Sequence, residues 1–201
     1  MAGDLNGDGL DDIVATMYYE DAAAVLLANG DGSFRVEGAY SAGPGPTAAA
    51  LADFDGDGDV DFAISNEEDN TVSIFLNQGA APIGSSAAAT GNLMVDSGRY
   101  VVGLGPQQVI AGDFTGDGLV DLATADGGAS RSVCSPTRGG GRFGSRIQSL
   151  VSDSPIALAT ADFDGDGDLD LAAAVYGGVP SPVQRLSRAF HPIDQARLTA
   201  D

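Results

Sequence analysis

The sequence predicts an all-β chain of about four repeated units, each the size of one blade of a β-propeller. An acidic nine-residue loop occurs four times, starting at residues 4, 53, 113 and 162, and short apolar runs flank every copy. Short apolar runs bounded by Gly, Pro, Asn and Asp are typical of strands. A repeat of about 50 residues with three or four strands is typical of one propeller blade.

The loops span residues 4–12, 53–61, 113–121 and 162–170, and each reads D-x-[D/N/T]-G-D-G-x-x-D. Side-chain oxygens at loop positions 1, 3, 5 and 9 converge if the glycines at positions 4 and 6 let the backbone curl. Such a cage suits a hard cation that takes about six to eight oxygen ligands, and we interpret it as a Ca²⁺ site. The alternative is an acidic Asx-turn that needs no metal, but four copies in register favour calcium.

The predicted metal ligands are the side chains at positions 1, 3, 5 and 9, with the backbone carbonyl of position 7 completing the shell. In chain order they are Asp4, Asn6, Asp8, Leu10 and Asp12; Asp53, Asp55, Asp57, Asp59 and Asp61; Asp113, Thr115, Asp117, Leu119 and Asp121; and Asp162, Asp164, Asp166, Asp168 and Asp170. Because Thr115 is a weaker ligand than a carboxylate, we expect the third site to bind most weakly.

Each loop is predicted to lie in a hairpin between the first and second strands of its unit. A proline stands seven residues before three of the loops, at Pro46, Pro106 and Pro155. The apolar runs before the loops are 48–52, 109–111 and 156–159, those after them are 13–16, 62–65, 122–124 and 171–175, and a third run follows at 25–29 and 72–77. The hairpin setting excludes an EF-hand, which lies between helices and needs a glutamate at position 12. Position 12 here is Ala15, Ile64, Thr124 or Ala173.

Composition restricts the partners. The formal net charge is −20, and 17 of the 29 acidic residues lie inside the four loops, where they repel one another unless cations are bound. Without a basic patch to offset this field, nucleic acid is excluded as a partner. No run of 18 apolar residues occurs, so no membrane insertion is expected. Residues 1–3 lead straight into the first loop, which suggests a fragment that lacks a signal peptide.

Two stretches depart from the repeat. Residues 130–138 occupy the third-strand position of the third unit, but Arg131, Pro136 and Arg138 predict a poor inner strand. One codon choice for this stretch, shifted by one base, restores an apolar run ending in asparagine near position 137. We therefore hypothesise a compensated frameshift in the gene or its sequencing. Residues 177–201 are rich in proline and arginine and are predicted to form an irregular tail, leaving 1–176 as the repeat region.

Single residues offer little support for catalysis. Cys134 and His191 are the only cysteine and the only histidine, so a disulfide, a Ser-His-Asp arrangement and a histidine-ligated zinc site are not expected. The pairs at 18–19 (Tyr-Tyr) and 99–100 (Arg-Tyr) could line a ligand surface or be ordinary hairpin side chains. The chain is therefore predicted not to be an enzyme.

The repeats resemble the FG-GAP repeats of integrin α-subunit propellers and their bacterial VCBS-type relatives. The motifs that carry this resemblance are the four loops, the A-D-F-D-G-D-G form at 52–58 and 161–167, and the strand endings at 25–34 and 72–77. The resemblance covers roughly residues 1–176 and implies a β-propeller, here partial, whose loops bind Ca²⁺ on one face. It transfers no ligand-binding site, since that site differs between members of the family.

The first functional hypothesis is a non-enzymatic, calcium-binding adhesion or binding module, extracellular or on the cell surface, that recognises protein or carbohydrate. The alternative is an accessory domain, carbohydrate-binding or scaffolding, of a larger secreted enzyme. A third possibility is the product of a degraded gene that never folds. Four units are fewer than the seven that family propellers usually have, so further blades from a parent chain are possible partners.

Overall fold

The computed structural model describes residues 1–79, 93–128, 131–150 and 154–176, with only the backbone described at 131–135 and 149–150. These ranges form four antiparallel sheets in chain order and contain no α-helix, only a turn of 3-10 helix at Tyr18–Glu20. No helix within them is long and apolar enough to cross a membrane.

Each sheet is built from strands that follow one another in the chain. The first has the order β1 (Ala2–Gly3), β2 (Asp12–Met17), β3 (Ala22–Ala28) and β4 (Phe34–Ser41). The second comprises β5 (Pro46–Ala52), β6 (Asp61–Asn66), β7 (Thr71–Asn77) and β8 (Met94–Val101). The third comprises β9 (Pro106–Gly112), β10 (Asp121–Asp126), β11 (Arg131–Ser135) and β12 (Ile147–Leu150), and the fourth pairs β13 (Ser154–Ala161) with β14 (Asp170–Tyr176). Every acidic loop therefore joins the first and second strands of its sheet, as predicted.

The local sequence explains the hairpins. Both glycines of the first loop adopt the left-handed conformation, Gly7 at φ 73° and Gly9 at φ 84°, and the glycines at the same positions of the other loops do likewise. A β-carbon would strain this backbone, so glycine is required there. Pro46 and Pro155 lie where the register with the neighbouring strand shifts, a position where the missing N–H of proline does no harm.

The sheets stack face to face in sequence, and a hydrophobic core fills each of the three interfaces. Val14, Val25 and Leu27 of the first sheet pack against Phe62 and Phe75 of the second. The second core joins the second and third sheets, and the third joins the third and fourth. Successive residues of a strand point to opposite faces, so a sheet between two others is buried on both.

The outer sheets differ from the inner ones in this respect. All six residues of β6 and all six of β10 are buried, which is expected of strands covered on both faces. In β3 of the first sheet, buried and half-buried residues alternate. In β14 of the fourth sheet, the buried residues are confined to the first two positions. Within the described ranges, a neighbouring sheet therefore covers only one face of the first sheet and one face of the fourth.

The prediction of a poor strand at 130–138 was wrong. β11 pairs with β10 on one side and with β12 on the other, so its backbone completes a ladder in both directions. Pro136 comes directly after the last residue of β11 and removes no hydrogen bond from that ladder. The frameshift hypothesis concerns the gene and stays a hypothesis, and the predicted tail at 177–201 lies outside the described residues.

Candidate metal centres

The carboxylate at position 1 of each loop organises the turn around itself. Oδ1 of Asp4 accepts hydrogen bonds from the backbone N–H groups of Gly7 (2.8 Å) and Asp8 (3.1 Å), and Oδ2 accepts one from Gly9 (2.9 Å). The equivalent bonds to Asp53, Asp113 and Asp162 measure 2.6–3.2 Å. Four copies of one sequence pattern therefore fold into one loop geometry.

The carboxylate at position 9 anchors the loop to the rest of its sheet. Oδ2 of Asp61 accepts the backbone N–H of Phe54 at 2.7 Å, and Oδ1 accepts that of Asn77, at the end of β7, also at 2.7 Å. Asp12 and Asp121 make the same two kinds of bond, with distances of 2.8–3.0 Å, and Asp170 accepts the N–H of Phe163 at 3.0 Å. The spacing of the loop predicted position 9 only as a ligand, and this second role was not predicted from the sequence.

Acidic oxygens gather most closely in the second and fourth loops. One oxygen from each of Asp53, Asp55 and Asp61 lies within 4.8 Å of the other two. The same holds for Asp162, Asp164 and Asp166, an exposed group, whereas Asp61 is fully buried. Two of the predicted sites thus bring together three carboxylates each at a spacing that one cation could bridge.

Burial and the neighbouring negative charges raise the pKa of two of these carboxyl groups. Burial, together with the charges of Asp55 and Asp57, raises the pKa of Asp61 to about 6, although the N–H groups of Asn77 and Phe54 pull it down. Burial and the neighbouring carboxylates of Asp57 and Asp53 also raise the pKa of Asp55. Both effects disfavour the charged form, so a bound cation would relieve them.

In the third loop, the residue at position 3 acts on the carboxylate at position 9. Burial raises the pKa of Asp121, and hydrogen bonds from the Thr137 N–H and from the side chain of Thr115 oppose that rise. The backbone N–H of Thr115 also donates to Oδ2 of Asp121 at 3.0 Å. The donor sets of the four loops are made wholly of hard oxygens, so the residues present fit an alkaline-earth cation.

The side chains at positions 3 and 5 also hold the shape of the loops by accepting hydrogen bonds from the backbone. Position 5, at Asp8, Asp57, Asp117 and Asp166, accepts the N–H of the residue at position 7 at 2.9–3.1 Å. Position 3 accepts the N–H of position 5 through Asn6, Asp55 and Asp164 at 2.9–3.3 Å. Ligation by the position-7 carbonyls of Leu10, Asp59, Leu119 and Asp168 stays a prediction.

The side chain of Asn77, which the sequence pattern predicted only as the end of a strand, connects two neighbouring loops. Nδ2 of Asn77 donates to the backbone oxygen of Leu5 in the first loop at 2.7 Å and to that of Val60 in the second at 3.0 Å. Its recurrence 24 residues after the start of the second loop, as Asn29 lies 25 after the first, was the available signal.

Equivalent positions at the end of the second strand hold different buried polar residues. Asn66 accepts the N–H of Gly43 at 3.1 Å and donates to Thr71 and Ser73 at 2.9 Å. In the third sheet this position holds Asp126, which is fully buried.

Asp126 carries a carboxyl where the second sheet has an amide. Its Oδ1 accepts the hydroxyl of Thr124 at 2.9 Å. Burial raises the pKa of Asp126 to about 7, against the opposing effects of Thr124, the positive charge of Arg146 and the backbone N–H of Gly103. Sequence alone gave no signal for this group.

Of the two residue pairs considered as a ligand surface, three side chains form hydrogen bonds that connect neighbouring sheets. They are Tyr18, Arg99 and Tyr100. Tyr18 donates to Glu67 at 3.1 Å, a bond that raises the pKa of Tyr18 to about 12. Arg99 donates to the carbonyl of Ala42 at 2.7 Å, and Tyr100 donates to that of Gly141 at 3.4 Å. Of the four residues, only Tyr19, 92% exposed, has a side chain almost wholly in solvent.

A groove of about 710 Å³ lies where the inner strands of the four sheets meet. Its walls are mostly alanine and other small side chains. Each of the four sheets also contributes one uncharged polar side chain. These groups are Thr16, Thr47, Gln108 and Thr160. The groove therefore suits a neutral ligand better than a charged one.

Comparison with known proteins agrees with this architecture. A family model described as FG-GAP-like repeat matches residues 4–64, 53–124 and 113–173 in three overlapping copies. The chain therefore belongs to the FG-GAP-like repeat family, as the resemblance of its loops had predicted. A search of curated proteins finds no match.

Among solved structures, the chain is similar to the periplasmic gluconolactonase PpgL of Pseudomonas aeruginosa, with 20% identity and a TM-score of 0.53 over 81% of this chain and 39% of that one. It is also similar to an Agrocybe aegerita lectin that recognises non-reducing terminal N-acetylglucosamine, with 21% identity and a TM-score of 0.52 over 94% of this chain and 52% of that one. These likenesses show the fold alone and confirm the predicted propeller class. The chain spans about two fifths to one half of the length of these structures.

Proposed function

We propose that this chain is a calcium-stabilised, non-enzymatic binding module that works outside the cell or at its surface. The observation that carries the proposal is the shared loop geometry, in which oxygens of one carboxylate organise the turn and those of another anchor it to the sheet. The alternative, an acidic turn that needs no metal, accounts for the hydrogen bonds within the loops. Three carboxylates within 4.8 Å of one another in two of the loops repel one another without a cation, and this favours the metal-bound loop.

Calcium is the cation that this donor set favours. The candidate ligands are carboxylate, amide, hydroxyl and carbonyl oxygens, and no histidine or cysteine lies in any loop. Flexible loops of this kind typically bind calcium at ~10⁻⁴–10⁻³ M in extracellular modules, where the ion is plentiful enough to fill them. This supports an extracellular location. The ion would then act structurally, since binding to the folded loop alone stabilises the fold by mass action.

The ligand proposed for the module is a protein or a neutral carbohydrate. The groove between the inner strands supports the latter, because none of the side chains that line it is charged. The lectin among the structural neighbours supports the same class. The gluconolactonase neighbour keeps open the second expectation, an accessory domain of a larger secreted enzyme.

Calcium titration of the purified chain, followed by thermal unfolding in EDTA and in millimolar calcium, tests the proposal. We expect a cooperative transition whose midpoint rises by several degrees with calcium and does not rise with equimolar magnesium, which demands a smaller octahedral site. The matched control replaces Asp57 and Asp166, both at position 5, with asparagine. That variant should keep the transition in EDTA and lose much of the calcium response. An unchanged midpoint with calcium would overturn the proposal.

Ligand class is tested separately on the calcium-loaded chain. A glycan array that includes terminal N-acetylglucosamine should show binding that calcium removal abolishes. A lactone-hydrolysis assay on the same preparation should give no activity above buffer. Hydrolysis that survives repurification would contradict the non-enzymatic assignment.

A further inference from the structure

The three interfaces between sheets share one construction. The residue at loop position 2 of one sheet inserts into the core shared with the next: Leu5, Phe54 and Phe114 are 2%, 3% and 4% exposed. In the second interface the partner of Phe54 is Phe143, which lies between β11 and β12 with ring centroids 5.8 Å apart in an edge-to-face contact. Each sheet thus has a trailing face that carries the inserting residue and a leading face that receives it.

An inserting ring and a receiving ring of the same kind also lie on the fourth and first sheets, where no described sheet covers them. Phe163 is the position-2 residue of the fourth loop and is 51% exposed. Phe34 lies 30 residues after Asp4, as Phe143 lies 30 residues after Asp113, and it is 44% exposed. The trailing face of the fourth sheet therefore presents the inserting ring, and the leading face of the first presents the receiving one.

The receiving face of the first sheet has the other elements of the inner interfaces as well. Ile13 directly follows the first loop's last residue, as Phe62 and Leu122 follow theirs, and Leu26 stands where Phe75 stands in the second sheet. Phe62, Phe75 and Leu122 are buried, whereas Ile13 and Leu26 are only half buried. The apolar side chains of an interface are in place, but nothing among the described residues covers them.

We propose that a second copy of this chain covers these faces, with its first sheet seated on the fourth sheet of the other copy and Phe34 of the second copy against Phe163. Within the described structure, the first sheet carries the only receiving face of this kind that no other sheet covers. The contact would continue an interface that the chain already builds three times. The described sheets of two copies would number eight, within the range of closed propellers, and a head-to-tail contact that closes in this way produces a defined oligomer.

Charge opposes this association, because each copy carries a net charge of −20. Calcium in the loops and added salt both weaken the repulsion, while the apolar contact is little affected by salt. The association should therefore strengthen from low to moderate ionic strength in the presence of calcium. A contact made by ion pairs would respond in the opposite direction.

Sedimentation velocity of the purified chain over a range of concentrations, in millimolar calcium, tests the proposal. We expect a reversible monomer–dimer equilibrium. Phe163→Ser and Phe34→Ser should each raise the dissociation constant at least about tenfold, because each removes an aromatic ring whose exposed half is covered only in the dimer. Tyr19→Ser, which removes an exposed ring off the sheet faces, should change nothing. Calcium-dependent melting of each variant verifies that it is folded.

Mixing the two variants distinguishes a head-to-tail contact from any other. A Phe163→Ser copy still has Phe34, and a Phe34→Ser copy still has Phe163, so the mixture regains one intact contact that neither variant can make alone. The mixture should sediment as a dimer at concentrations where each variant is monomeric. A wild-type chain that stays monomeric at every concentration, or association that survives both substitutions, would overturn the proposal.

Discussion

Replacing Asp126 with asparagine is expected to stabilise the chain, and increasingly so as pH rises. The carboxyl is fully buried, and burial raises its pKa from 3.8 to about 7 in spite of the opposing effects of Thr124, Arg146 and the Gly103 N–H. The folded chain therefore holds this proton more tightly than the unfolded chain does. Asparagine at the equivalent position of the second sheet, Asn66, is fully hydrogen-bonded, so the fold accepts an amide there.

The magnitude follows from linkage. Below pH 4 the carboxyl of Asp126 is protonated in both states and has no pH-dependent effect. Between about pH 4 and pH 7 it ionises only in the unfolded chain, which lowers the free energy of unfolding by about 1.4 kcal/mol for each pH unit. Above pH 7 the loss reaches a plateau of about 4 kcal/mol. The gain from the Asp126→Asn substitution should therefore grow by about 3 kcal/mol between pH 5 and pH 8.

Urea unfolding at pH 5 and pH 8 with calcium constant measures this difference. Both chains share the same loops, so any pH dependence of the metal sites cancels when the variant is compared with the wild type. Asn66→Asp is the matched control, since it places a carboxylate in the equivalent buried position and should destabilise the chain more at pH 8 than at pH 5. A stability difference between Asp126→Asn and wild type that is the same at both pH values would refute the reasoning.

Five other substitutions separate the roles of individual side chains. Asp61→Ala, measured by urea unfolding in EDTA, should cost about 3 kcal/mol because it leaves two buried N–H groups without acceptors, whereas Asp57→Ala at an exposed position should cost little until calcium is added. Thr115→Asp should raise the calcium affinity of the third loop, measured by calorimetry, and no change would contradict Thr115 as a ligand. Phe54→Ala should lower the free energy of unfolding by about 3–5 kcal/mol and Phe163→Ala by less than about 1 kcal/mol, so equal losses in the monomer would show that both rings are buried alike.

The repeat made most of the fold predictable. Glycines at fixed loop positions and short apolar runs around them specify hairpins, and their recurrence gives four units in a row. The strand at Arg131–Ser135 was missed because residue type was weighed above register, whereas the ladders on both sides of β11 are made by backbone groups. Strand pairing of this kind depends on neighbours far along the chain, which a local pattern does not contain.

The positions of the candidate site residues could be predicted from the sequence. Which carboxylates are buried anchors of the loop and which are exposed to solvent could not. Spacing identified every loop carboxylate, yet nothing in the spacing separates Asp61, buried and bonded to two backbone N–H groups, from Asp57, which lies in solvent. Burial is a property of the stacked sheets. For the same reason the sequence did not reveal that Phe163 is exposed while Phe54, in the same loop position, is covered.

The stacking of sheets in strict chain order has an evolutionary consequence. Each sheet forms its cores only with the sheets before and after it in the chain, so stability accumulates one neighbour at a time. Duplication or loss of one repeat in the gene would leave every surviving interface with the same kind of partner. The number of blades can therefore change between related genes without any change in the kind of core that joins neighbouring blades.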